Sequence, residues 1–222
     1  MKNSKYEFVD LGLPSGLKWA AWNVGATKPE ESGLYFSWGE DKGYVVTRGE
    51  VMNEEYGQYK AIVKNADGES RKTFASNYSD YKHYDVSTSA FTKYNATDGL
   101  ETLENEDDGC YLTENDMRMP TKEECEELIA NTTPSWTENY NDSGINGLTL
   151  TSKTNGNSIF VPAVGAVGSG MLGNFGLLGL FWSSSRSSSS VEEAFVLCFV
   201  SDYLNVDYGS RFGGYPLRAV RP

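Results

Sequence analysis

Histidine is almost absent from this sequence, which contains one, His83, among 222 residues. Catalysis by a serine, histidine and aspartate set would have to use that single side chain, and metal sites built from several histidines are excluded. His83 lies in a polar stretch rich in tyrosine, where we interpret it as a structural residue and not as a catalytic one.

Cysteine is also scarce, and the three cysteines are Cys110, Cys125 and Cys198. They can form one disulfide at most, and no Cys-x-x-Cys motif is present, so a disulfide framework is excluded. Apolar runs are too short to span a bilayer, and no stretch near the start resembles a signal peptide. Either the protein is not exported by the signal-peptide route, or a leader is missing from this sequence.

Positive charge is in short supply, because 19 Lys and Arg face 31 Asp and Glu, which gives a formal net charge of -12. This balance argues against nucleic acid as a partner and against docking on anionic membranes, since both need a cationic surface. The glycine-rich stretch around Gly168-Ser169-Gly170 lacks the spacing of a phosphate-binding loop.

Enough apolar residues are present to build a core, since 39% of the chain is hydrophobic and 13% aromatic. We expect one α+β domain over residues 1–222. Short strands between glycine turns are predicted at residues 8–11, 17–22 and 34–38. Residues 40–108 are polar and predict a long insertion with little regular structure, filled by its own tyrosines, namely Tyr78, Tyr81, Tyr84 and Tyr94.

One helix is predicted at residues 119–129, which open with proline and early acids. Cys125, Leu128 and Ile129 have the spacing of a single buried face. The glutamates of this segment resemble paired catalytic carboxylates, but at a helix start they are typical of a solvated face that matches the helix dipole.

The C-terminal segment alternates between two kinds of residue. Phe195, Leu197 and Phe199 form a uniformly apolar face, whereas Val196, Cys198, Val200 and Asp202 on the opposite face differ in size and polarity. Leu204 and Val206 resume the apolar set, and a turn is predicted at residues 208–210. On periodicity alone, a fully buried strand followed by a loop explains the pattern equally well.

A compositional gap favours the mixed-face interpretation. From residue 194 to residue 222 there is no Glu, Lys, Gln, Met or Trp, although the preceding 193 residues contain 42 of them. At that rate, the chance of such a gap is roughly one in a thousand before allowing for the choice of window. These five residue types cannot be encoded by codons that end in a pyrimidine, so randomised AAY codons would leave this pattern.

Sequence blocks along nearly the whole chain resemble a protein family that occurs in gut-associated bacteria and their phages. The blocks are VDLGLPSGLKWA at residues 9–20, YFSWGE at 35–40, EDD at 106–108, RMPT at 118–121, GNSIFVPA at 156–163, FWSS at 181–184 and RAVR at 218–221. The family is that of variable proteins of diversity-generating retroelements, which includes phage tropism determinants. Its members are similar to C-type-lectin-fold domains of the formylglycine-generating-enzyme type.

The resemblance implies a C-type lectin fold and a non-catalytic binding protein, without a cofactor or metal, that faces the outside on a phage tail or a bacterial surface. Its partner would be a protein or glycan on a cell surface, and a homo-oligomer would strengthen weak contacts by avidity. A cassette at about residues 182–221 would be diversified, with ligand-binding positions at Val196, Cys198, Val200, Asp202, Tyr203, Asn205, Asp207, Tyr208, Gly209, Ser210, Phe212 and Gly213.

A fixed framework is implied for the same cassette, and Arg186 and residues 188–190 are assigned to neither set. The framework residues would be Trp182, Leu197, Phe199, Leu204, Val206, Arg211 and Arg218. Three alternatives remain at the level of sequence: an adhesin of the same fold with an undiversified face, an enzyme of the formylglycine-generating type, and a calcium-dependent lectin.

The sequence departs from both catalytic and sugar-binding relatives. Cys125 occupies a position where the enzyme-type relatives usually carry tryptophan, and their Arg-Gly-Gly-Ser-Trp block is missing. The sugar-binding triplets of calcium lectins are absent too. Asp107 and Asp108 could ligate calcium, but two adjacent acids provide fewer oxygens than such a site needs.

Overall fold

Extended backbone dominates the computed structural model, which describes residues 5–65, 74 and 78–222. Strands make up 41% and helices 12% of the described structure, which is compatible with the predicted α+β class or with a mostly-β fold. The predicted insertion includes residues 66–73 and 75–77, which lie outside the described part.

The elements follow one another along the chain with many short strands and two α-helices in the described residues. The strands are β1 (Phe8–Asp10), β2 (Lys18–Ala20), β3 (Leu34–Phe36), β4 (Tyr44–Asn53), β5 (Gln58–Lys64), β6 (Tyr84–Asp85), β7 (Ala90–Phe91), β8 (Thr132–Thr137), β9 (Gly147–Ser152), β10 (Ser158–Pro162), β11 (Ala166–Gly168), β12 (Met171–Gly173), β13 (Gly179–Arg186), β14 (Glu193–Val200), β15 (Tyr203–Ser210), β16 (Tyr215–Pro216) and β17 (Val220–Arg221). The helices are α1 (Gly109–Thr113) and α2 (Lys122–Asn131), with single 3-10 turns at Tyr78–Asp80, Asn105–Asp107 and Tyr140–Asp142.

Strands from distant parts of the sequence meet in the same sheets. β2 pairs with β1 on one side and with β17 on the other, and the larger sheet has the order β11-β12-β5-β4-β3-β16. β8, β9 and β10 form a third sheet, and β13, β14 and β15 form a fourth. The predicted strands at residues 8–11, 17–22 and 34–38 are therefore confirmed, with shorter bounds.

The insertion contains more regular structure than predicted. β4 and β5 form an antiparallel hairpin in which Val46 lies opposite Val63 and Thr47 opposite Ile62. Charged residues and glycine interrupt the alternation of apolar residues in β4, so the sequence pattern did not indicate a strand. They are tolerated because most of β4 is exposed to solvent and its register shifts beyond Arg48. The prediction of little regular structure was wrong for this half.

The second half of the insertion has only short elements and a tyrosine-rich interior, as predicted. Tyr81 and Tyr94 are buried, while Tyr78 and Tyr84 are half-buried. The Tyr81 hydroxyl donates to the Trp38 carbonyl at 2.6 Å, and Tyr94 donates to Asp107 at the same distance. The first contact attaches the segment to the body of the domain, and the second lies within the segment.

The predicted helix exists but starts later than residue 119. Thr121 caps α2: its hydroxyl accepts from the Glu124 N–H, and the Glu124 carboxylate accepts from the Thr121 N–H. This reciprocal capping box fixes the start after Pro120. Cys125 and Leu128 are buried on the predicted face.

β14 contributes to two apolar clusters on opposite sides of its sheet. Leu197 and Phe199 pack in the first cluster together with Leu128 of α2. Val196 packs in the second cluster together with Trp182. The first part of β14 is therefore buried on both faces, as the alternative of a buried strand predicts, and only its last residues reach the surface on one side.

Candidate ligand-binding face

One face of the β14–β15 hairpin collects five of the predicted binding residues. Cys198 lies opposite Asn205, Val200 opposite Tyr203, and Val196 opposite Asp207. Directly opposed residues of an antiparallel pair point to the same side of the sheet. We call the surface formed by Cys198, Val200, Tyr203, Asn205 and Asp207 the outer face.

The outer face is open to solvent mainly along β15. Tyr203 is 44% exposed, and Asn205 and Asp207 are exposed as well, whereas Cys198 and Val200 are half-buried. The intervening residues Leu204 and Val206 pack against the first core cluster. β15 therefore has core-packing side chains on one side and solvent-exposed side chains on the other.

Three predicted binding residues are buried and do not reach the surface. Val196 has no exposed surface, because its side of the sheet is covered by Trp182 and the rest of the second cluster. A side chain at Gly209 would collide with the rings of Tyr215 and Trp182, and one at Gly213 would press on the Tyr215 hydroxyl. For Val196, Gly209 and Gly213, the prediction of an exposed binding side chain was therefore wrong.

Tyr208 is exposed, but it lies on the side of the sheet opposite the outer face. Its ring packs on Phe195, with centroids 4.9 Å apart, and the Lys122 ammonium at the start of α2 lies 5.2 Å from the Phe195 ring. The predicted turn at residues 208–210 belongs to β15, and the chain turns at 211–212 instead. The predicted site is thus divided between two surfaces.

The remaining predicted residues lie at the ends of the hairpin. Asp202 is exposed in the turn between β14 and β15. Ser210 is half-buried at the end of β15. Phe212 is half-buried and packs on Tyr78 of the insertion, with ring centroids 5.0 Å apart. Arg186 and Ser190 are half-buried, while Ser188 and Ser189 are exposed in the loop before β14.

The expected framework is the best supported part of the cassette. Trp182, Leu197, Phe199, Arg211 and Arg218 are buried, and Leu204 and Val206 are half-buried. Arg218 donates to Asn23, Ala20 and Phe160. Burial lowers the pKa of its guanidinium to about 9. Arg211 and Arg218 are both buried in the fold, so neither contributes a positive charge to the outer face.

Arg211 connects the cassette to the insertion. Its guanidinium donates to the carbonyls of Lys93, Tyr94 and Val191 and to the Tyr81 hydroxyl. The guanidinium carbon also lies 4.5 Å from the centroid of the Phe91 ring and 4.8 Å from that of Trp38. A planar donor fork is suited to such a set of carbonyls and rings.

The outer face carries one carboxylate, that of Asp207, and one thiol, that of Cys198. Asp207 is exposed beside Cys198, whose thiol pKa is raised to about 11 by burial and, to a smaller extent, by that carboxylate. Within the described part of the chain, neither Asp202 nor Asp207 forms an ion pair. A protonated thiol is a poor nucleophile and a poor metal ligand.

A cleft borders the tip of the hairpin and was not predicted from the sequence. It has a volume of about 250 Å³ and lies between β8–β9 and the β14–β15 turn. The lining residues are Pro134, Trp136, Leu148, Val200, Ser201, Asp202, Tyr203 and Leu204. Trp136 had no sequence signal as a site residue, because only the pairing of β8 with β9 brings it to the cassette.

The residues considered for catalysis or metal binding already have protein partners. His83 is buried, with Nε2 3.1 Å from the Gly39 carbonyl, and burial lowers the pKa of its imidazole despite nearby Asp107. Asp108 accepts from three backbone N–H groups, those of Cys110, Tyr111 and Met119. These contacts explain His83 and Asp108 as structural groups.

The acidic cluster near the first helix contains a lysine. The Lys93 ammonium lies 2.7 Å from Glu104 and 2.6 Å from both Glu106 and Asp107. Asp107 also accepts from Lys82 at 2.6 Å. A calcium ion would therefore have to displace existing ion pairs, which argues against the calcium-lectin alternative.

No known protein family, curated protein or solved structure that was compared with this chain matches it. Across the described residues, no helix combines the length and the apolar character that crossing a membrane requires.

Proposed function

We propose that this chain is a non-catalytic recognition domain with a C-type lectin fold, akin to the variable proteins of diversity-generating retroelements. Its outer face binds a protein or glycan on a cell surface, and diversification of the cassette changes that face. The observation that carries the proposal is the separation along β15, where the exposed Tyr203, Asn205 and Asp207 alternate with the packed Leu204 and Val206.

This separation meets the physical requirement for a diversified surface. Substitutions of exposed residues away from special contacts usually change stability by about 0.5 kcal/mol or less, whereas truncation of a buried Phe costs about 3–5 kcal/mol. Tyr203 provides a rigid aromatic contact, and Asn205 provides hydrogen-bonding groups, as in other recognition surfaces. A randomised face of this kind can change its ligand without unfolding the domain.

The cysteines support binding over oxidase chemistry. Burial raises the pKa of the Cys110 thiol well above its ordinary value, and the pKa of the Cys125 thiol is raised by burial as well. A buried, protonated thiol has no thiolate available for redox catalysis. Replacing the buried Cys110 with Ser should therefore leave ligand binding intact, whereas an enzyme of the formylglycine-generating type would lose its activity.

The gene sequence provides the sharpest test of diversification. Valine and serine codons can end in any base, so Val200 and Ser210 are informative, and we expect both to end in a pyrimidine. A nearby near-copy of the cassette should carry AAY at Val200 and Tyr203 but not at the buried Val196. A purine at the end of the Val200 codon would exclude adenine-directed diversification and favour the undiversified adhesin.

A binding experiment tests the face itself. The combined change Tyr203→Ser, Asn205→Ala and Asp207→Ala should leave the thermal midpoint nearly unchanged and alter binding of the labelled protein to a panel of intact bacterial cells. The matched control changes Tyr208→Ser and Glu138→Ala, two exposed residues away from the outer face. Equal loss of cell binding in both variants would contradict the assignment of the face.

A further inference from the structure

The cleft beside the outer face combines an apolar floor with an aromatic wall and a carboxylate. Leu148 is buried at its base, and the half-buried Val200 and Leu204 extend the apolar surface. Trp136 and Tyr203 line the same space, and Asp202 is exposed at its rim. Its residues come from both the cassette and the body of the domain.

The size of the cleft restricts the ligand. Pockets for drug-sized molecules usually have about 300–1,000 Å³, and this cleft has a volume of about 250 Å³. The space therefore suits one side chain of a larger partner better than a whole small molecule.

The charge of the cleft indicates which kind of side chain it binds. None of the lining residues is Lys or Arg, and within the described residues Asp202 has no ion pair or side-chain hydrogen bond. The whole chain carries a formal charge of -12, which attracts cationic groups over a distance. A cation can contact both a carboxylate and an aromatic face, and Trp provides the best such face.

We propose that this cleft binds an arginine or lysine side chain of a protein partner. The aliphatic stem packs on Leu148, Val200 and Leu204, and the charged end lies between Trp136 and Asp202, as long cationic side chains do at apolar surfaces. A neutral glycan can hydrogen-bond to Asp202 but leaves its charge uncompensated, whereas a cationic side chain compensates that charge. The inference rests on the proposed function, because the cleft shares Val200 and Tyr203 with the outer face.

The consequence is a site with a fixed half and a changeable half. Trp136 and Leu148 belong to β8 and β9, outside the cassette, while Asp202 and Tyr203 belong to it. The body of the domain then provides a constant apolar anchor, and the residue at position 202 determines whether a cation is preferred.

The test is an NMR titration of the ¹⁵N-labelled protein, with the Trp136 indole N–H as the main reporter. The probes are N-acetyl-arginine methylamide, its neutral analogue N-acetyl-citrulline methylamide, and a methyl glycoside. We expect saturating shifts at the cleft with the arginine probe only. Asp202→Asn should weaken binding about fivefold or more. The control Asp41→Asn, which removes the same charge at an exposed position before β4, away from the cleft and the outer face, should change it less than twofold.

Four results would overturn the inference. Equal shifts with the citrulline probe would remove the role of charge, and stronger binding of the glycoside would assign the cleft to sugars. Equal weakening by Asp41→Asn would reduce the effect to the general negative charge of the protein. If the arginine probe fails to bind while the outer-face variant still alters cell binding, only the cleft assignment fails and the proposed function stands.

Discussion

Replacing Arg211 with Met should detach the insertion from the cassette. Arg211 is completely buried and donates four hydrogen bonds, three to carbonyls and one to the Tyr81 hydroxyl. Met fills much of the same volume but donates none of them. Three of the accepting groups belong to residues 81–94 of the insertion and one to Val191 within the cassette, so most of the loss falls on the contact between the insertion and the cassette.

The expected cost follows from the groups that lose their donor. A buried acceptor without a partner costs about 1–3 kcal/mol, and a hydrogen bond from a charged donor contributes about 1.5–3 kcal/mol. Removal of the guanidinium also ends its contacts with the rings of Trp38 and Phe91, while the desolvation cost of the buried charge is relieved. We therefore expect a loss of about 3–5 kcal/mol, a large part of the about 5–15 kcal/mol that stabilises a typical domain.

Two measurements separate local from global destabilisation. Hydrogen exchange should accelerate first at residues 78–108, with much less change in β9 and β10, and urea unfolding should give the total loss. Arg211→Lys should have an intermediate effect, because one ammonium cannot reach the positions of a planar fork. The control Arg221→Met removes a half-exposed guanidinium 3.5 Å from Asp116 and should cost about 1 kcal/mol or less.

The prediction would be refuted by unchanged exchange at residues 78–108 in Arg211→Met, or by a loss no larger than that of the Arg221→Met control. Either result would mean that the tyrosines of the insertion hold it in place without the guanidinium. Faster exchange spread evenly over all sheets would instead show that the insertion and the sheets unfold together.

Two further predictions concern titration and thiol reactivity. Burial raises the pKa of Asp107, but hydrogen bonds from Lys82, Lys93 and Tyr94 outweigh it and lower the pKa from 3.8 to about 2. The unfolded chain therefore binds the proton more readily, so about 2 kcal/mol of stability should be lost as the pH falls from about 4 to about 2. Asp107→Asn should flatten this pH dependence in urea titrations, and an unchanged slope would contradict the assignment. The Cys198 thiol, with its pKa of about 11, should react with iodoacetamide near about pH 8 roughly a hundredfold more slowly than an ordinary thiol. Mass spectrometry would measure the rate, and rapid alkylation would contradict the raised pKa.

Helix α2 and the short N-terminal strands could be predicted because neighbouring residues mark where they begin and end. Proline followed by Thr121 and Glu124 marks a helix start, and the buried positions Cys125 and Leu128 follow from helical spacing. The short N-terminal strands were predicted because glycines mark their turns. These signals act within a few residues, so they need no knowledge of the rest of the fold.

What the sequence could not predict depends on contacts between distant segments. Val196 alternates like an exposed residue, and only the position of Trp182 covers it. β8 contains Pro134, which argues against a central strand, yet β8 lies at the edge of its sheet, where a missing N–H is tolerated. The cleft at Trp136 was missed for the same reason, since it exists only where β8 meets the cassette.

The packing around the cassette explains how one hairpin can have both a fixed register and a changeable surface. A shift of β15 by one residue would bring Asn205 and Asp207 to the side now occupied by Leu204 and Val206, with their carboxylate and amide groups in an apolar cluster. Contacts on that side therefore determine the register of β15. The hydrogen bonds of Arg211, which directly follows β15, fix the end of this strand. Because neither constraint involves the outer face, a new side chain at position 203, 205 or 207 changes the chemistry of the surface and leaves the backbone that presents it in place.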